Sequence, residues 1–358
     1  MIILGIETSC DETSVAIVEN GHQVLSVATA SSQELHQKTG GIVPESAARE
    51  QLSCMIPVLE EALTKFCPHT KPQETLKKID ALAVTYGPGL IGSLLVGVET
   101  AKALSLVTGK PLIPVNHLEA HIFANWLEKP SNQFPQMPGL ALIASGGHTE
   151  LILVNKRGKK YQFTFLGGTR DDASGECFDK CARVLGLGYP GGPAIAQNAQ
   201  LASKELVSNP PFNLPRPMLD QKNHDFSFSG LKTAVINRVR QLEKKGKLNQ
   251  KMKNFLAWEI QEAITDCLVG KIIQAAQKYP IKSLLLGGGV TANQILREKF
   301  QKEANKLNID LFIPEIRFCT DNATIVAATA YFNYQPTPWS KITPQSGLSF
   351  NHLGGGKP

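Results

Sequence analysis

The chain of 358 residues is long enough for two packed domains of about 100–200 residues each. Its composition, with 42% hydrophobic and 19% charged residues, is that of a globular protein with a sizeable core and excludes wholesale disorder. A net charge of +6 permits a polyanionic partner but does not require one.

The cysteines and the N-terminus indicate where the protein works. Seven cysteines are scattered singly, and an odd number without framework spacing predicts free thiols in a reducing compartment. Cys177 and Cys181 lie one helical turn apart and could ligate zinc, but core packing is preferred because the sequence has no second pair. The N-terminus lacks a basic n-region and already carries Glu7, so we expect no signal peptide. No apolar run approaches the roughly 18 residues that span a bilayer, so we predict a cytoplasmic location without membrane contact.

Two stretches of the chain share an order of elements. Within residues 2–21 a β-branched strand enters a polar turn and leaves through a second strand, Val15–Val18. Residues 139–158 repeat this order, with a second strand at Leu151–Val154. The repetition favours two similar domains. Coincidence of two hairpins stays open as an alternative.

Each half continues with alternating strands and helices. Residues 79–115 predict a strand, a Gly-Pro-Gly turn, a helix and a strand. The helix, Leu94–Val107, is apolar nearly all round and should be buried, and Gly109 fits its C-cap. Residues 281–300 predict a strand, a glycine loop and a helix. This alternation predicts α/β sheets with ligands at the strand ends.

The stretch Lys232–Lys253 is a predicted helical region rich in lysine and arginine, with Glu243 as its single acidic residue. It fits either a solvated helix face or a nucleic-acid contact, and the sequence does not decide between them.

"HLEAHIFAN" at 117–125 places two histidines four residues apart, on one face of a helix. In the zinc-protease motif a glutamate directly follows the first histidine and acts as general base. Here Glu119 would lie about 200° around the helix from His117, so it would point away from an ion held by His117 and His121. This spacing argues against a metalloprotease.

A metal site would need a third ligand. Asp321, in "FCTDNAT" before a helix of small residues, is the candidate. Two histidines and one carboxylate leave coordination positions open, as iron(II) or catalytic zinc requires. The alternative is that backbone carbonyls near Asn116 and Asn125 satisfy both histidines.

Glycine-rich turns suggest nucleotide contacts. Ser145, Gly146 and Gly147 form a turn between strands, where backbone N–H groups can cradle a phosphate, although a plain hairpin fits equally. Three glycines end a later strand and precede Asn293 near the first turn of a helix, which resembles nucleotide-binding architecture. Gly191-Gly192 forms another turn.

Two acidic groups complete the candidates. Asp172, Glu176 and Asp179 are spaced to share one helical face, where they could grip ribose hydroxyls or simply pair with nearby cations. Asp11 and Glu12 crowd a hydroxyl-rich turn that suits a phosphate with its magnesium ion, a general base, or an ordinary turn.

Taken together, the motifs resemble one family. "GIETSCDETSVAIV", "HLEAHIFAN", "ASGGHTEL", "DDASGECFDKCARVLGLGYPGGP", "HDFSFSGLKTAV", "GGGVTAN" and "CTDNAT" occur in the order found in the TsaD family of tRNA threonylcarbamoyladenosine synthase subunits, once labelled O-sialoglycoprotein endopeptidases. The resemblance covers roughly Met1 to Ala330. One departure is visible: Gln51 stands where the family usually has a histidine, which puts a role for that side chain in doubt.

The resemblance implies an α/β fold of the ASKHA class (actin, hexokinase and heat-shock chaperone ATPases), with duplicated RNase H-like domains around a central cleft. We expect the first domain at 1–115, completed by a helix near 321–333. The second should span 116–320 with a helical insertion around 220–270, and 334–358 should form a loosely structured tail.

The resemblance also implies an activity and its residues. The family transfers a threonylcarbamoyl group from threonylcarbamoyl-AMP to the N6 amine of the adenosine 3′ of the anticodon, in tRNAs reading codons that begin with A. Carried over by motif, the ligands of one Fe²⁺ or Zn²⁺ ion are His117, His121 and Asp321, and Mg²⁺ would accompany bound nucleotide. The substrate-binding residues so implied are Ile143, Ala144, Ser145, Gly146, Gly147, Asp179, Gly192 and Asn293.

Three hypotheses follow from this activity. Asp11 or Glu12 would collect the proton of the attacking amine. A basic surface would contact tRNA through Lys232, Arg238, Arg240, Lys244, Lys245 and Lys247. The family's partners, a TsaB-like paralogous subunit and a TsaE-like ATPase, would be needed for full activity. A metallopeptidase and a non-catalytic ATP-binding scaffold are the alternatives.

Overall fold

The computed structural model describes residues 1–32 and 43–350. Contacts group the chain into two units. The first comprises Met1–Gln136, Asn155–Phe163 and the chain from Pro314 onward, and the second comprises Met137–Val154 and Thr164–Ile313.

The first unit is built on a five-stranded mixed sheet with strand order β3-β2-β1-β4-β5. Its strands are β1 (Ile2–Glu7), β2 (Glu12–Glu19), β3 (Gln23–Ser31), β4 (Ala81–Gly87) and β5 (Leu112–Asn116). β1 pairs antiparallel with β2 and parallel with β4, so it lies in the middle and is apolar on both faces. Asn20 and Gly21, both with positive φ, make the tight turn from β2 to β3.

Helices cover both faces of this sheet. They are α1 (Pro44–Phe66), α2 (Pro72–Lys77), α3 (Ile91–Thr108) and α4 (His117–Phe123). α1 and α3 pack on the face that carries Leu4, Ile6 and Leu82, while α4 packs on the face that carries Ile3 and Ile113. α4 begins at the residue after β5, which brings its first turn to the carboxyl ends of the parallel strands β1, β4 and β5.

The second unit repeats the first sheet's topology. Its strands are β6 (Gly139–Ala144), β7 (Thr149–Arg157), β8 (Lys160–Gly168), β9 (Ser283–Gly287) and β10 (Asp310–Phe312). The order β10-β9-β6-β7-β8 matches the first sheet, with β6 in the place of β1. β6 pairs antiparallel with β7 and parallel with β9, as β1 does with β2 and β4. The predicted duplication is confirmed.

Six helices belong to the second unit. They are α5 (Ser174–Leu185), α6 (Gly191–Gln200), α7 (Lys204–Ser208), α8 (Ser229–Lys244), α9 (Gln250–Lys278) and α10 (Gln294–Leu307). Their apolar sides form one core with the sheet, which includes Leu142, Phe178, Leu268 and Leu286. Gly186, in the left-handed conformation, ends α5.

The chain then returns to the first unit. α11 (Ala323–Phe332) packs beside α4 on the sheet face of Ile3, and nearly all of its side chains are buried. After α11 the chain lies along the first unit, where Gln345 N donates to Tyr86 O (2.7 Å) and Leu348 is buried. Short 3₁₀ turns lie at Ala124–Trp126, Ser131–Gln133, Gly289–Ala292, Ile316–Phe318 and Trp339–Lys341.

The predicted succession of strands and helices is confirmed, but the environment of α3 is not as expected. Leu94 and Val98 are buried, whereas Leu106 and Val107 are 63% and 84% exposed. The sheet and α1 cover one side of α3, so its apolar character does not make it a fully buried helix. Among the described residues it is the one helix long and apolar enough to cross a membrane, with 33% of it buried, and a helix of a folded core passes the same test.

The predicted domain border at 115/116 differs from the division between the contact units, which falls after Gln136. Contacts define packing rather than duplicated topology, so the border stays a prediction. The helical insertion expected around 220–270 corresponds to a region occupied by α8 and α9.

Candidate metal centre and nucleotide loops

The two histidines lie at the start of α4. Asn116 caps this helix, because its Oδ1 accepts a hydrogen bond from Leu118 N (2.8 Å). The cap fixes the first turn directly after β5 and leaves His117 and His121 on the same helical face. Both are buried, with 6% and 0% of the residue exposed.

Asp321 meets the histidines from the other end of the sequence. It precedes α11, whose N-cap Asn322 accepts from Thr324 N (3.0 Å). Its Oδ1 lies 3.4 Å from His117 Nε2 and 3.3 Å from His121 Nε2. Ligands about 2.1 Å from one tetrahedral ion lie about 3.4 Å apart, so this separation suits a shared cation.

The hydrogen bonding of His121 supports the same interpretation. Among the described residues neither ring nitrogen of this buried side chain makes a hydrogen bond of good geometry, although Nε2 lies 3.3 Å from Asp321 Oδ1. A buried polar atom without a partner costs free energy, so an unpartnered imidazole needs an explanation. An ion between His121 and Asp321 would use Nε2. The alternative, two histidines satisfied by backbone carbonyls, does not match this geometry.

Glu7 lies behind His117. Its Oε2 is 3.0 Å from His117 Nδ1 and accepts a hydrogen bond from Thr85 Oγ1 (2.7 Å). Sequence reasoning missed this residue as part of the site. The available signal was an acidic residue at the end of a predicted β-branched strand, directly before a hydroxyl-rich turn.

The electrostatic potential at the histidines is negative, because carboxylates surround them. Burial alone would lower the pKa of His117, but Asp321 and Glu7 outweigh it and raise that pKa well above its usual value. Burial would raise the pKa of Asp321, yet His117 and His121 hold it well below the usual range. One buried carboxylate, Glu7, and one half-buried carboxylate, Asp321, therefore favour positive charge at this point.

The predicted acidic turn lies beside the same site. The ligand atoms of Cys10, Asp11 and Asp321 fall within 4.8 Å of one another. Glu12 Oε1 accepts from Ser31 Oγ (3.0 Å). Burial, followed by the charge of Asp11, raises the pKa of Glu12 to about 7.

Gln51, the departure from the family pattern, holds this turn. The side chain is buried on α1, and its Nε2 donates to Cys10 O (2.9 Å) and Glu12 O (3.1 Å). The donor group thus faces backbone carbonyls on both sides of Asp11.

In the second unit, the predicted substrate loop follows β6. Ser145 N donates to His148 O (2.8 Å), and Gly175 N at the start of α5 donates to Ser145 O (3.1 Å). A Cβ on Gly146 or Gly147 would meet no atom within 4 Å, so one side of this turn is open. The exposed backbone can approach a ligand.

A second glycine loop lies against the first. Gly288, at φ +91°, follows β9, and a Cβ there would lie 2.4 Å from Ala144 O. The parallel pairing of β6 and β9 explains this approach. Asn293 caps α10 through Leu296 N (3.0 Å) and donates to Gln261 Oε1 (2.8 Å).

Asp179 connects two helices. Its Oδ1 accepts from Gly191 N (2.7 Å), and a Cβ on Gly191 would lie 2.4 Å from Asp179 Cα. A Cβ on the next residue, Gly192, would meet nothing within 4 Å. Asp179 therefore fixes the turn that presents Gly192.

The single acidic face predicted for Asp172, Glu176 and Asp179 is wrong, because α5 begins only at Ser174. Asp172 instead lies outside the helix and accepts from Lys180 (2.8 Å). Glu176 also pairs with Lys180, as the alternative of paired surface charge predicted.

The predicted tRNA-binding residues differ in their surroundings. Lys232 Nζ is 3.0 Å from Asp172 Oδ2, and the Arg238 guanidinium lies 4.1 Å from the centre of the Phe212 ring. The other four are exposed: Arg240, Lys244, Lys245 and Lys247.

Cys177 and Cys181 lie in the core of the second unit. Their Sγ atoms are 3.9 Å apart and both residues are fully buried. Neither belongs to the two groups of potential metal ligands among the described residues. Core packing, the preferred interpretation, agrees with this.

Solved structures place the architecture in the ASKHA class of α/β proteins. The chain is similar to component A of the (R)-2-hydroxyglutaryl-CoA dehydratase of Acidaminococcus fermentans, with TM-score 0.51, 15% identity, and 92% of this chain and 98% of the other covered. It is also similar to HypF of T. kodakarensis, with TM-score 0.55, 14% identity, and 93% and 47% covered. At these identities the likeness concerns the fold alone.

The family follows from closer relatives. The family model TsaD, tRNA N6-adenosine threonylcarbamoyltransferase, matches residues 23–328. Proteins of that name from Syntrophomonas wolfei and Thermosipho africanus are 46% and 47% identical, covering 93% and 94% of this chain and 92% and 95% of theirs. One from Staphylococcus saprophyticus is 42% identical over 98% of this chain and 96% of its own.

The chain belongs to the TsaD family of tRNA N6-adenosine threonylcarbamoyltransferases. It is therefore an enzyme of the transferase class. Family membership supports this interpretation and not the metallopeptidase or the scaffold.

Proposed function

We propose that the chain transfers a threonylcarbamoyl group from threonylcarbamoyl-AMP to the N6 amine of the adenosine 3′ of the anticodon, in tRNAs reading codons that begin with A, and releases AMP. Family membership supports the transfer to tRNA. The convergence of His117, His121 and Asp321 is the structural observation that carries the proposal.

These three side chains would hold one divalent ion, Fe²⁺ or Zn²⁺. Two imidazoles and a carboxylate suit both metals. The adenine amine is a poor nucleophile because its lone pair is delocalised into the ring. When bound, the ion would supply Lewis-acid polarisation of the carbamoyl carbonyl that this amine attacks.

The loop of the second unit would bind the nucleotide part of the donor. The open side of the turn at Ser145, Gly146 and Gly147 leaves room for backbone N–H groups to approach the phosphate of departing AMP, with Mg²⁺ as its counter-ion. Ile143 and Ala144 lead into this turn as the end of β6.

Three further residues would complete the nucleotide contacts: Asp179, Gly192 and Asn293. Asp179 and Asn293 are engaged in hydrogen bonds within their unit, so we assign them the shaping of the loops around Gly192 and the start of α10. Gly192 offers an open backbone.

Asp11 and Glu12 are the candidates for taking the proton of the amine. A general base works best when its pKa lies near the working pH. With a pKa of about 7, Glu12 meets this condition, and Asp11 lies near the ligand atom of Asp321. We therefore assign the proton to Glu12, with Asp11 orienting the substrate.

Exposed cations on and after α8 would contact the tRNA backbone. Lys232 is paired with Asp172 and Arg238 lies over the Phe212 ring, and no such contact with the described residues is seen for four exposed cations, which therefore carry most of the proposed affinity: Arg240, Lys244, Lys245 and Lys247. A cytoplasmic location follows from the substrate. We also propose a TsaB-like subunit and a TsaE-like ATPase as partners, on family resemblance.

A reconstituted transfer assay tests the proposal. The full chain is combined with the partner proteins, threonylcarbamoyl-AMP and tRNA, and modified adenosine is measured by mass spectrometry. We expect His121→Ala to lose modification while His224→Gln keeps it, because His224 is also a buried histidine but lies in the second unit. Modification at the wild-type rate by His121→Ala would reject the proposed centre. Chelator-sensitive cleavage of casein without transfer would favour the metallopeptidase.

A further inference from the structure

We infer that Glu7 is a positioning residue of the proposed metal centre: it holds the His117 ring through Nδ1 and adds a negative charge behind that ligand, which favours a divalent ion there. The inference rests on the proposed function, because it takes His117, His121 and Asp321 to be the ligands.

Glu7 is held in place from several elements. It ends β1 and is fully buried. One carboxylate oxygen, Oε2, accepts from Thr85 Oγ1 on β4 (2.7 Å) and lies 3.0 Å from His117 Nδ1. The other, Oε1, accepts from Ser9 N (2.5 Å). The carboxylate has little freedom to turn, so its position defines the position of the ring.

The contact with Nδ1 decides what the other nitrogen does. An ionised carboxylate only accepts hydrogen bonds, so His117 Nδ1 carries the hydrogen that faces Glu7. In the neutral ring the lone pair is then on Nε2, the atom that lies 3.4 Å from Asp321 Oδ1. A carboxylate behind a ligating histidine fixes its tautomer and raises its basicity.

The charges around the site favour a divalent ion. Two neutral imidazoles contribute no charge, Asp321 and Glu7 contribute one negative charge each, and Asp11 lies close to Asp321 as a further carboxylate. Apart from His117, Glu7 accepts hydrogen bonds from a hydroxyl and a backbone N–H in the described part of the chain, and neither donor is a cation. A fully buried carboxylate is costly unless positive charge lies nearby. The bound ion and the imidazole it polarises would provide that charge.

Metal titration tests the inference without relying on catalysis. The full chain is stripped with a chelator and titrated with Co²⁺, and both the dissociation constant and the visible absorption band are measured. We expect Glu7→Gln, which removes the charge, to weaken Co²⁺ binding by about 10–100-fold and to change the band. Glu7→Asp keeps the charge but shortens the reach, and it should also change the band.

The matched control is Glu119→Gln on the same helix as both histidines. Glu119 is a largely covered carboxylate that bonds to Asn333 Nδ2 (2.9 Å), and glutamine can accept the same bond. It should bind Co²⁺ as the wild type does. Wild-type affinity and an unchanged band in both Glu7 variants would overturn the role of Glu7 while leaving the metal site intact. Failure of the wild-type chain to bind Co²⁺ would reject the metal site and this inference together.

Discussion

Burial changes the acid–base chemistry of Glu12. Desolvation, together with the nearby charge of Asp11, raises its pKa from 4.5 to about 7 in the folded protein. The folded state therefore keeps a proton that the unfolded state loses between these two values. Stability from this group is fully present below about pH 4.5 and is lost as the pH rises through about 7.

Replacement of Glu12 by glutamine should raise the stability of the folded protein and abolish its activity. Glu12→Gln removes the charge that is costly in the folded state, so its melting temperature should exceed that of the wild type more at about pH 8 than at about pH 5. Threonylcarbamoyl transfer should be lost at both values. Thermal unfolding and the transfer assay measure the two effects. Glu243→Gln, at an exposed position on α8, is the control. A melting-temperature difference independent of pH would contradict the assignment.

Gln51 tests how the acidic turn is held. Its amide donates to Cys10 O and Glu12 O, so Gln51→Met, of similar length but without a donor, loses two hydrogen bonds of about 1 kcal/mol each. We expect urea unfolding to show a loss of about 2 kcal/mol and the transfer rate to fall. Gln51→His keeps an N–H donor and should retain more of both. Equal behaviour of the methionine and histidine variants would show that donation does not matter.

At the scale of elements, the sequence predicts which residues share one helix face. It does not predict which residues from distant parts of the chain come together. The i, i+4 spacing predicts a shared helical face for His117 and His121, and the structure has them on α4. Asp321 was brought to them by tertiary packing of α11 beside α4, which spacing alone does not contain. The family motif supplied that residue.

Three features of the structure do not follow from sequence patterns: the role of Glu7, the exposed side of α3 and the start of α5. Glu7 carries no periodic signal, and its role depends on the pairing of β1 with β4, which brings Thr85 within hydrogen-bond distance. α3 is apolar nearly all round, so its hydropathy does not show which side the sheet covers. The sequence therefore predicts Leu106 and Val107 to be buried, although they are exposed. The face proposed for Asp172 failed because the helix starts two residues later, at Ser174.

The turn after β6 allows a test of whether a ligand binds on its unobstructed side. Gly146→Ala should fold normally, because the new Cβ meets nothing within 4 Å, but it should narrow the space for a bound phosphate. We expect AMP affinity, measured by calorimetry, to fall about tenfold, equivalent to about 1.4 kcal/mol, with an unchanged melting temperature. Gly347→Ala, equally unobstructed but in the first unit, is the control. Unchanged AMP affinity would contradict a ligand on this side.

Across the whole molecule, the duplication places chemistry at equivalent points. In each sheet the central strand, β1 or β6, runs into a short turn before its antiparallel neighbour. The turn after β1 carries Asp11 and Glu12, and the turn after β6 carries Gly146 and Gly147. The same position in the repeated topology therefore carries carboxylate side chains in the first unit and an unobstructed glycine backbone in the second.

The distribution of charge predicts how the whole protein binds tRNA. Reversal of Arg240, Lys244, Lys245 and Lys247 to glutamate should weaken tRNA binding and flatten its dependence on salt, because each lost phosphate contact removes about 0.7–0.9 from the slope. The control reverses four exposed lysines of the first unit, and so changes net charge equally: Lys65, Lys71, Lys77 and Lys78. Electrophoretic mobility shifts at several salt concentrations measure both. Equal losses in the two variants would indicate a non-specific effect of net charge.

The central claim is that His117, His121 and Asp321 hold one divalent ion. Anomalous diffraction from crystals of the full chain, recorded at the iron and zinc absorption edges, tests it most directly. The account predicts a single peak about 2.0–2.2 Å from His117 Nε2, His121 Nε2 and an Asp321 carboxylate oxygen. Crystals of active enzyme without a peak at this position would contradict it.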